Sequence, residues 1–516
     1  MPAMLVLWPF VACVSMAMGA QPAAGTHQAP AAPPASVKPD AAPSAKRPIA
    51  SSFRLTLDPA LQTAPYSGRV YVVLTKNSGG EPRRQMGTWG GSAVVLALDV
   101  SNVPPGTPID VGNTAMAWPR PLAELEPGDY SAQAVARRNL DSPHVGEGAG
   151  DLYSDPVNMT LSRDSSAGAA EFKLTHAVPE RPFKETDRVK LVSIVSPSLS
   201  AFYGREVKVN AGVVLPEHWK DDPAARYPTV YWIGGFGASH HGASQTARYL
   251  APPPGTPDVI IVVPDPSSHF GHNVFADSAN NGPRGKALIE ELIPAVEQKY
   301  HGAQSGQRRF VSGISSGGWS SLWLQVAYPD QFNGTWSHCP DPVDFRDFQR
   351  IDLYTPGANM YRDAKGERRP LGREGENVKF WYDDFVRQED VLGDGGQIRA
   401  FEAVFSPRGR DGRPAPLFDR ATGAVNTSTA NAWEKYDIRL VLERNWKDLG
   451  PKLAGKIHVY AGGMDNFYLD GAAIKLRESL AKLGSDATVE VVPGMGHTVY
   501  MPGVKAMYDS IAQKCK

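Results

Sequence analysis

The sequence predicts an α/β protein in which a mostly parallel sheet, covered by helices on both faces, follows an all-β sandwich. The chain has 516 residues, more than one ordinary domain needs. Residues 51–178 contain short strand patterns separated by Gly- and Pro-containing turns, which is typical of an Ig-like β-sandwich. From residue 179 onward, apolar strands alternate with helical patterns, which indicates a parallel sheet buried on both faces.

The overall composition is that of a soluble globular protein, with 42% hydrophobic and 21% charged residues. The 53 basic and 54 acidic residues give a net charge of −1. Because the chain has no basic surplus to neutralise phosphates, we expect no nucleic-acid partner. Its oligomeric state is left open by the composition.

The first 20 residues have the features of a signal peptide. They carry no charged side chain, and an apolar core from Met4 to about Val14 is followed by small residues up to Ala20. The apolar run is too short to span a bilayer, so no stable membrane insertion is expected. We predict export to the periplasm or the extracellular space, with a lipoprotein at Cys13 as the less favoured alternative.

The rest of the chain divides into three predicted parts. Residues 21–50 are rich in Ala and Pro without apolar periodicity, so they are expected to form a disordered tether. Residues 51–178 form the β-sandwich module, which has no catalytic-looking charge cluster and is interpreted as a supporting or binding unit. Residues 179–516 form the α/β domain.

The elements of the α/β domain follow from apolar runs and helical spacing. VKLVSIVSPS and REVKVNAGVVLPE are predicted to form a leading antiparallel pair. The six buried strands that follow are TVYWIGGFG, DVIIVVPDP, RRFVSG, FNGTWSHCP, KIHVYAGG and ATVEVVPG. Helices are predicted in GPRGKALIEELIPAVEQKY and over residues 316–326 and 504–513. Right-handed crossovers bring the carboxyl ends of the parallel strands to one edge, where sites form in such sheets.

Residues 340–450 interrupt this alternation with segments rich in aromatic, Arg and Asp residues. We interpret them as an insertion over the sheet edge. Two explanations remain open: a lid whose aromatic side chains shape a substrate cleft, and a helical excursion whose aromatic side chains only pack.

The stretch FVSGISSGGWSSLWL, residues 310–324, contains a G-x-S-x-G pattern centred on Ser315. A strand precedes the pattern and a helix follows it at once. A nucleophilic serine in such a fold lies on a strained strand-to-helix turn with small neighbours. An ordinary turn does not need glycine at both Gly313 and Gly317, so Ser315 is the predicted nucleophile.

A serine nucleophile needs a base, and in this architecture the order along the chain is Ser, acid, His. PGMGHTVY places His497 in a loop after the last predicted strand, and HVYAGGMDNFYLD places Asp465 after the preceding strand. Both loops lie at the predicted edge that carries Ser315. Asp465 is preferred to Asp470 as the acid because it is nearer to the strand end.

The oxyanion of an acyl-transfer intermediate needs two preorganised N–H donors. Ser316, at the positive end of the helix after the nucleophile, is predicted to provide one. The turn WIGGFGASHHG is predicted to provide the other, with Phe236 favoured and Gly235 as its neighbour. The alternative for this turn is an ordinary strand end.

The remaining histidines and cysteines give weaker signals. His240-His241 and His269-x-x-His272 lack a carboxylate or cysteine at zinc-ligand spacing, so no metal site is predicted, although both segments follow strands and could line the cleft. After removal of the signal peptide, two cysteines remain, and the sequence leaves open whether they form a disulfide or stay as thiols.

These motifs resemble those of the esterase D, or "putative esterase", family of α/β-hydrolases. The resemblance lies in PTVYWIGGFG, DVIIVVPD, NGPRGKALIEELIPAVEQKY, RRFVSGISSGGWSSLWLQVAYPDQFNGTWS and PGMGH, over about residues 190–340 and 450–515. The family includes feruloyl and acetyl-xylan esterases, formylglutathione hydrolases, siderophore-ester hydrolases and mycolyl transferases. The resemblance implies a serine acyl-transfer enzyme without a cofactor, with Ser315, Asp465 and His497 as nucleophile, acid and base.

Two departures from the family limit what can be transferred. The oxyanion turn reads Ile-Gly-Gly-Phe-Gly where relatives often have His-Gly, and the insertion at 340–450 is larger than usual. We expect an exported serine esterase acting on a small-molecule or polysaccharide-linked ester. The alternatives are a peptidase or acyltransferase with the same triad, or a non-catalytic binding protein with a hydrolase-like fold.

Overall fold

The computed structural model describes residues 47–516 apart from residues 77, 78 and 223. The predicted signal peptide and all but the last four residues of the predicted tether lie outside this range. The end of the tether differs from the prediction, because Ile49–Ala50 forms a strand that pairs with a later strand of the β-rich region.

The β-rich region contains eleven short strands and, among its described residues, no helix longer than a 3₁₀ turn. The strands are β1 Ile49–Ala50, β2 Ser52–Leu57, β3 Tyr66–Thr75, β4 Val94–Val103, β5 Ile109–Val111, β6 Met116–Trp118, β7 Gly128–Ala136, β8 Leu152–Tyr153, β9 Val157–Leu161, β10 Ala169–Leu174 and β11 His176–Ala177. One sheet has the order β1-β9-β7-β3-β4-β6, in which β8 also pairs with β7 and β11 pairs with β8, and a second has the order β10-β2-β5.

Both sheets of the β-rich region contribute to one buried cluster. Strand β2 alternates buried and half-exposed residues and directs Phe53, Leu55 and Leu57 inward. Strand β3 of the larger sheet adds Val70 and Val72 to the same cluster. The short strands β5 and β6 were not predicted, because three-residue strands give too little alternation to recognise.

The second part of the chain contains fourteen strands and eleven helices among its described residues. The strands are β12 Val189–Val195, β13 Lys208–Val214, β14 Thr229–Ile233, β15 Ile260–Pro264, β16 Ser267–Ser268, β17 Gly271–His272, β18 Asp277–Ser278, β19 Gly282–Pro283, β20 Arg309–Ile314, β21 Thr335–His338, β22 Pro370–Glu374, β23 Asn377–Trp381, β24 Ile457–Gly462 and β25 Thr488–Val492. The helices are α1 Pro197–Tyr203, α2 Ala243–Tyr249, α3 Arg284–Ala287, α4 Ile293–Tyr300, α5 Ser316–Ala327, α6 Tyr382–Leu392, α7 Gln397–Phe405, α8 Thr427–Trp433, α9 Ile438–Leu453, α10 Asp470–Lys482 and α11 Met501–Lys514.

The central sheet has eight strands in the order β12-β13-β15-β14-β20-β21-β24-β25. Strands β12 and β13 form the predicted antiparallel pair, β13 also runs antiparallel to β15, and all later neighbours are parallel. The carboxyl ends of β14, β15, β20, β21, β24 and β25 therefore lie at one edge. That edge carries every residue that the sequence suggested for catalysis.

Helices pack on both faces of this sheet. In β14, Tyr231 and Ile233 point into a buried cluster with helix α4, whereas Val230 and Trp232 point into a cluster with α2 and α11. Continuous burial of successive strand residues is what a sheet covered on both faces requires. Among the described residues, no helix combines the length and apolar character that crossing a bilayer requires.

The insertion at 340–450 packs as a folded unit with an aromatic core. It contains the hairpin β22–β23, which was not predicted from the sequence, helices α6 to α8 and most of helix α9. Phe345, Phe348, Phe405 and Trp433 are buried in a cluster that also includes Trp319 of helix α5. Most insertion aromatics thus serve packing, and the idea of a moving lid stays a prediction.

The β-rich region lies against the insertion through strand β3. Arg69 donates to the main-chain oxygens of Asp390 and Val391, and the Tyr71 hydroxyl donates to the oxygen of Leu392 at 2.7 Å. These acceptors form the carboxyl end of helix α6, where positive and polar donors are favourable. The β-rich region therefore contacts the part of the chain that surrounds the candidate site.

Candidate active site

Ser315 lies on the turn between strand β20 and helix α5 with a strained main chain. Its φ and ψ are 59° and −126°, which a non-glycine residue rarely adopts. A Cβ on Gly313 would lie 2.3 Å from the oxygen of Gly317, and a Cβ on Gly317 would lie 2.0 Å from the oxygen of Ile233. Both glycines are therefore required by close main-chain packing, as the sequence analysis expected for a nucleophile turn.

The Ser315 main chain is held from three sides. Its N–H donates to the oxygen of His338 at 3.0 Å, and its own oxygen accepts from the N–H groups of Trp319 and Asp341. Gly235 lies against it as well, because a Cβ built there would be 3.6 Å from Ser315 Oγ. The turn that carries Ser315 is thus fixed by its neighbours in the sheet.

Asp465 and His497 form a hydrogen-bonded pair in the two loops that the sequence analysis proposed. His497 Nδ1 lies 2.8 Å from Asp465 Oδ2, and Asp465 is fully buried. Burial alone would lower the pKa of His497, but the charge and hydrogen bond of Asp465 outweigh it, so the pKa of His497 is raised. Asp470, the less favoured candidate for the acid, forms an ion pair with Arg350.

The loop that carries Asp465 is clamped by the insertion hairpin. Arg373 of strand β22 donates from its main-chain N–H to the oxygen of Asn466 and from Nε to the oxygen of Asp465, at 2.8 and 2.9 Å. Asn466 donates back to the oxygen of Arg373 and accepts from the N–H of His497 at 2.7 Å. The side chain of Asn466 therefore links the acid loop, the histidine loop and the insertion.

Ser315 is not hydrogen-bonded to His497 in this structure, although both side chains are among the described residues. Its Oγ lies 3.5 Å from Oδ1 of Asp341, a buried residue just after strand β21. Oδ2 of Asp341 accepts from the Ser316 hydroxyl at 2.5 Å. The structure thus brings Asp465 and His497 together and adds a second carboxylate at the serine pair.

The two predicted oxyanion donors belong to segments that meet at Ser315. Ser316 begins helix α5, and Phe236 follows Gly235 in the turn after β14. His272 donates from Nε2 to the oxygen of Gly234 at 3.0 Å and accepts from the N–H of Val274. Burial lowers the pKa of His272 to about 4, so a neutral imidazole positions this turn.

Two other histidines of the same segments, His240 and His269, have carboxylate partners, whereas His241 packs against the rings of Phe183 and His240. His240 Nδ1 lies 2.5 Å from Asp265, and His269 Nε2 lies 3.2 Å from Asp394. These pairs connect the oxyanion turn and the insertion to neighbouring strands. The two histidines thus have different carboxylate partners.

Both described cysteines are free thiols, so Cys339 and Cys515 do not form a disulfide. The sulfur of Cys339 and ligand atoms of Asp465 and His497 lie within 4.8 Å of one another. Burial raises the pKa of Cys339, and its thiol donates to the oxygen of Thr498 at 3.3 Å. The Cys339 thiol thus packs beside the His–Asp pair.

Aromatic side chains connect His497 to the β-rich region. Phe467 makes an edge contact with His497, at 4.8 Å between ring centroids, and Trp89 packs on Phe467 at 5.0 Å. Trp89 belongs to a loop of the β-rich region and also contacts Phe380 and Phe385 of the insertion. Three parts of the chain therefore meet beside the imidazole.

Several of these residues were missed by the sequence analysis. Asp341 follows the end of a parallel strand, as Asp465 does, so the same strand-end rule could have identified it. Asn466 adjoins the predicted acid and could have been suspected for that reason. Arg373 and Trp89 have no local signal, because their roles come from contacts between distant segments.

The central sheet with its strained serine turn and buried His–Asp pair has the architecture of a hydrolase of the α/β class. A family model described as "Putative esterase" matches residues 200–478, a range that includes Ser315 and Asp465 and stops short of His497. This match covers more than half of the chain. The chain belongs to the "Putative esterase" family and is a carboxylic ester hydrolase with an α/β-hydrolase fold, as the sequence resemblance implied.

Solved structures with a similar chain path were also found. A ferulic acid esterase is 14% identical over 64% of this chain and 99% of its own, with a TM-score of 0.39. An S-formylglutathione hydrolase from Agrobacterium tumefaciens is 14% identical over 64% and 95%, with a TM-score of 0.37. A chain described as a dipeptidyl aminopeptidase IV from Bacteroides ovatus is 13% identical over 82% and 46%, with a TM-score of 0.38. No curated protein matches the chain.

Proposed function

We propose that this ester hydrolase is an exported serine esterase that uses Ser315, His497 and Asp465 as its catalytic triad. The observation that carries the proposal is the buried Asp465–His497 hydrogen bond at the sheet edge where Ser315 adopts its strained conformation. The strain holds a nucleophile out of the regular strand and helix, and the pair provides a histidine in a defined tautomer.

In the proposed reaction, the Ser315 hydroxyl turns from Asp341 to Nε2 of His497 and attacks the ester carbonyl. His497 accepts the hydroxyl proton, and Asp465 stabilises the imidazolium through Nδ1. The N–H groups of Ser316 and Phe236 bind the oxyanion. His497 then gives the proton to the leaving alcohol, and an acyl-enzyme remains on Ser315. Water, deprotonated by His497, attacks this acyl-enzyme and releases the acid, and the proton returns to Ser315.

We further propose the domain division that the sequence suggested. The two sheets of residues 51–178 would form a β-sandwich module, and residues 179–516 would form the hydrolase domain. Residues 340–450 would be an insertion within that domain that lines one side of the active site. The contacts that Trp89 and Arg373 make near His497 favour a structural role at the site for both the β-rich region and the insertion. Substrates would be small-molecule or polysaccharide-linked esters, and the enzyme would act outside the cytoplasm after removal of residues 1–20.

Hydrolysis of chromogenic aryl esters by purified Ser315→Ala tests the proposed nucleophile. The variant should lose several orders of magnitude in kcat while keeping its melting temperature. Ser193→Ala, which changes an exposed serine of strand β12, is the matched control and should retain full activity. Substantial hydrolysis by Ser315→Ala would refute the assignment of the nucleophile.

The purified wild-type enzyme can also be used to test the alternatives of a peptidase, an acyltransferase or a binding protein. Comparison of amide substrates and alternative acyl acceptors with the aryl esters distinguishes a peptidase or acyltransferase from an esterase. Absence of turnover on every ester, acetyl-sugar and feruloyl substrate, with no labelling by a fluorophosphonate, would favour a binding protein.

A further inference from the structure

Asp341 is a second carboxylate at the candidate site that the triad does not use. It follows strand β21, at the same sheet edge as Ser315, and only 6% of it is exposed. Its Oδ2 accepts the Ser316 hydroxyl at 2.5 Å, its Oδ1 lies 3.5 Å from the Ser315 hydroxyl, and its N–H donates to the oxygen of Ser315 at 3.2 Å. One side chain thus contacts both serines of the nucleophile turn.

The surroundings of Asp341 contain no ordinary cationic partner. Among the described residues, no Lys or Arg forms an ion pair with it, and the further side-chain donor is Gln397 Nε2 at 3.4 Å. A buried carboxylate without a cation is costly unless a nearby charge compensates it. The titratable groups that influence Asp341 electrostatically are His497 and Asp465, and Asp341 in turn influences the buried Tyr382 hydroxyl.

His497 is the one of these groups that becomes positive during the proposed reaction. Burial raises the pKa of Asp341 to about 6, although the Ser316 hydrogen bond and the charge of His497 act in the opposite direction. Asp341 in turn adds to Asp465 in raising the pKa of His497. The neighbouring Cys339 thiol is protonated and adds no charge. The ionised form of Asp341 therefore favours the protonated form of His497, and protonated His497 favours ionised Asp341.

We propose that Asp341 is a positioning residue of the esterase site, which holds the turn of Ser315 and Ser316 and, when ionised, favours the imidazolium form of His497 during attack. This inference rests on the proposed function. The proton still moves from Ser315 Oγ to His497 and then to the leaving alcohol. Asp341 takes no proton from the substrate and acts only through its charge and its hydrogen bonds.

The test is the pH dependence of Ser315 labelling by a fluorophosphonate in the full chain. Asp341→Asn keeps the shape of the side chain and removes the charge, so His497 should become less basic. The acid limb of the labelling rate should move to lower pH by about one unit, and the rate at pH 8 should fall about tenfold. Asp187→Asn removes an exposed charge from the same part of the chain and should leave both quantities unchanged.

A folded Asp341→Asn variant with the wild-type acid limb would overturn the proposal, because a purely structural role would lower the amount of active enzyme without moving the limb. If Asp341→Asn does not fold, Ser316→Ala is the second variant, because it keeps the main-chain N–H and removes the hydroxyl that donates to Asp341. Loss of this hydrogen bond raises the pKa of Asp341, so a smaller shift in the same direction is expected, and no shift would overturn the proposal. Absence of wild-type labelling at Ser315 would instead refute the proposed function.

Discussion

The two halves of the candidate site are held in different ways. The nucleophile half is fixed by main-chain contacts inside the sheet, where Gly313 and Gly317 leave no room for a side chain. The acid–base half is fixed by side chains from outside the sheet. Arg373 reaches Asp465 although the two are 92 residues apart in the chain, and Trp89 of the β-rich region packs on Phe467. One short segment therefore supplies the strand, the glycines and the helix of the first half, although main-chain groups of Ile233 and His338 hold them in place. The second half is assembled from distant segments.

The largest expected effect comes from breaking the acid–base pair itself. Asp465→Asn should lower kcat about 10⁴-fold, because the amide stabilises neither the tautomer nor the imidazolium of His497. Since the pKa of His497 is raised, the wild-type kcat/KM should fall with decreasing pH around a midpoint above about 6.5, and the residual activity of the variant should have a lower midpoint. Initial rates on an aryl ester from pH 5 to 9 measure both.

Asp470→Asn is the control for that experiment, because Asp470 lies five residues on and pairs with Arg350 rather than His497. Its acid limb should match the wild type. A shift of the limb in Asp470→Asn and not in Asp465→Asn would exchange the roles of the two residues.

The nucleophile half should respond to a single methyl group. In Gly317→Ala, the new Cβ would meet the main-chain oxygen of Ile233, so the free energy of unfolding should fall by about 3 kcal/mol and the remaining folded enzyme should be slow. Urea unfolding and phosphonate labelling measure these changes. Gly242→Ala has open space around its Cβ and a φ of −71°, so it should be as stable as the wild type.

Removal of the contact between Arg373 of the insertion and the loop of Asp465 should have a smaller effect. Arg373→Ala removes the donor to the Asp465 oxygen, and kcat/KM should fall about tenfold, the equivalent of one hydrogen bond worth about 1.4 kcal/mol. Lys379→Ala, on the partner strand of the same hairpin, removes only an exposed pair with Glu374 and should be neutral. Equal losses in both variants would indicate that the hairpin as a whole, rather than the Arg373 contact, matters.

The smallest expected effect is that of the β-rich region. Trp89→Ala removes the ring that packs on Phe467, so kcat/KM should fall roughly two- to fivefold. Leu140→Ala, an exposed apolar residue of the same region, should have no effect. A wild-type kcat/KM in Trp89→Ala would limit the influence of the β-rich region to stability.

The difference between the halves also explains how much the sequence could predict. The strand, glycine turn and helix around Ser315 are local, so their order and even their bounds follow from the pattern within one or two residues. The leading antiparallel pair and the strand ends that carry Asp465 and His497 are also encoded by apolar runs. The resemblance to the esterase family additionally predicted the class of reaction, the hydrolysis of carboxylic esters.

What could not be predicted depends on tertiary contacts. The hairpin β22–β23 has a weak strand pattern, and its Gly372 lies beside the rings of Phe380 and Phe467. The position of Asp341 is visible from the chain, but its contacts with both serines require the turn and the neighbouring strand to be assembled. The hairpin and the contacts of Asp341 depend on packing between distant segments, so no local sequence pattern predicts them.

The most direct test of the account is to locate the adduct formed by a fluorophosphonate on the wild-type enzyme by peptide mass mapping. With Ser315 as the nucleophile, one adduct per chain is expected on Ser315, lost in Ser315→Ala and retained in Ser316→Ala. An adduct on another residue, or a folded wild-type chain that hydrolyses esters without modification of Ser315, would contradict it.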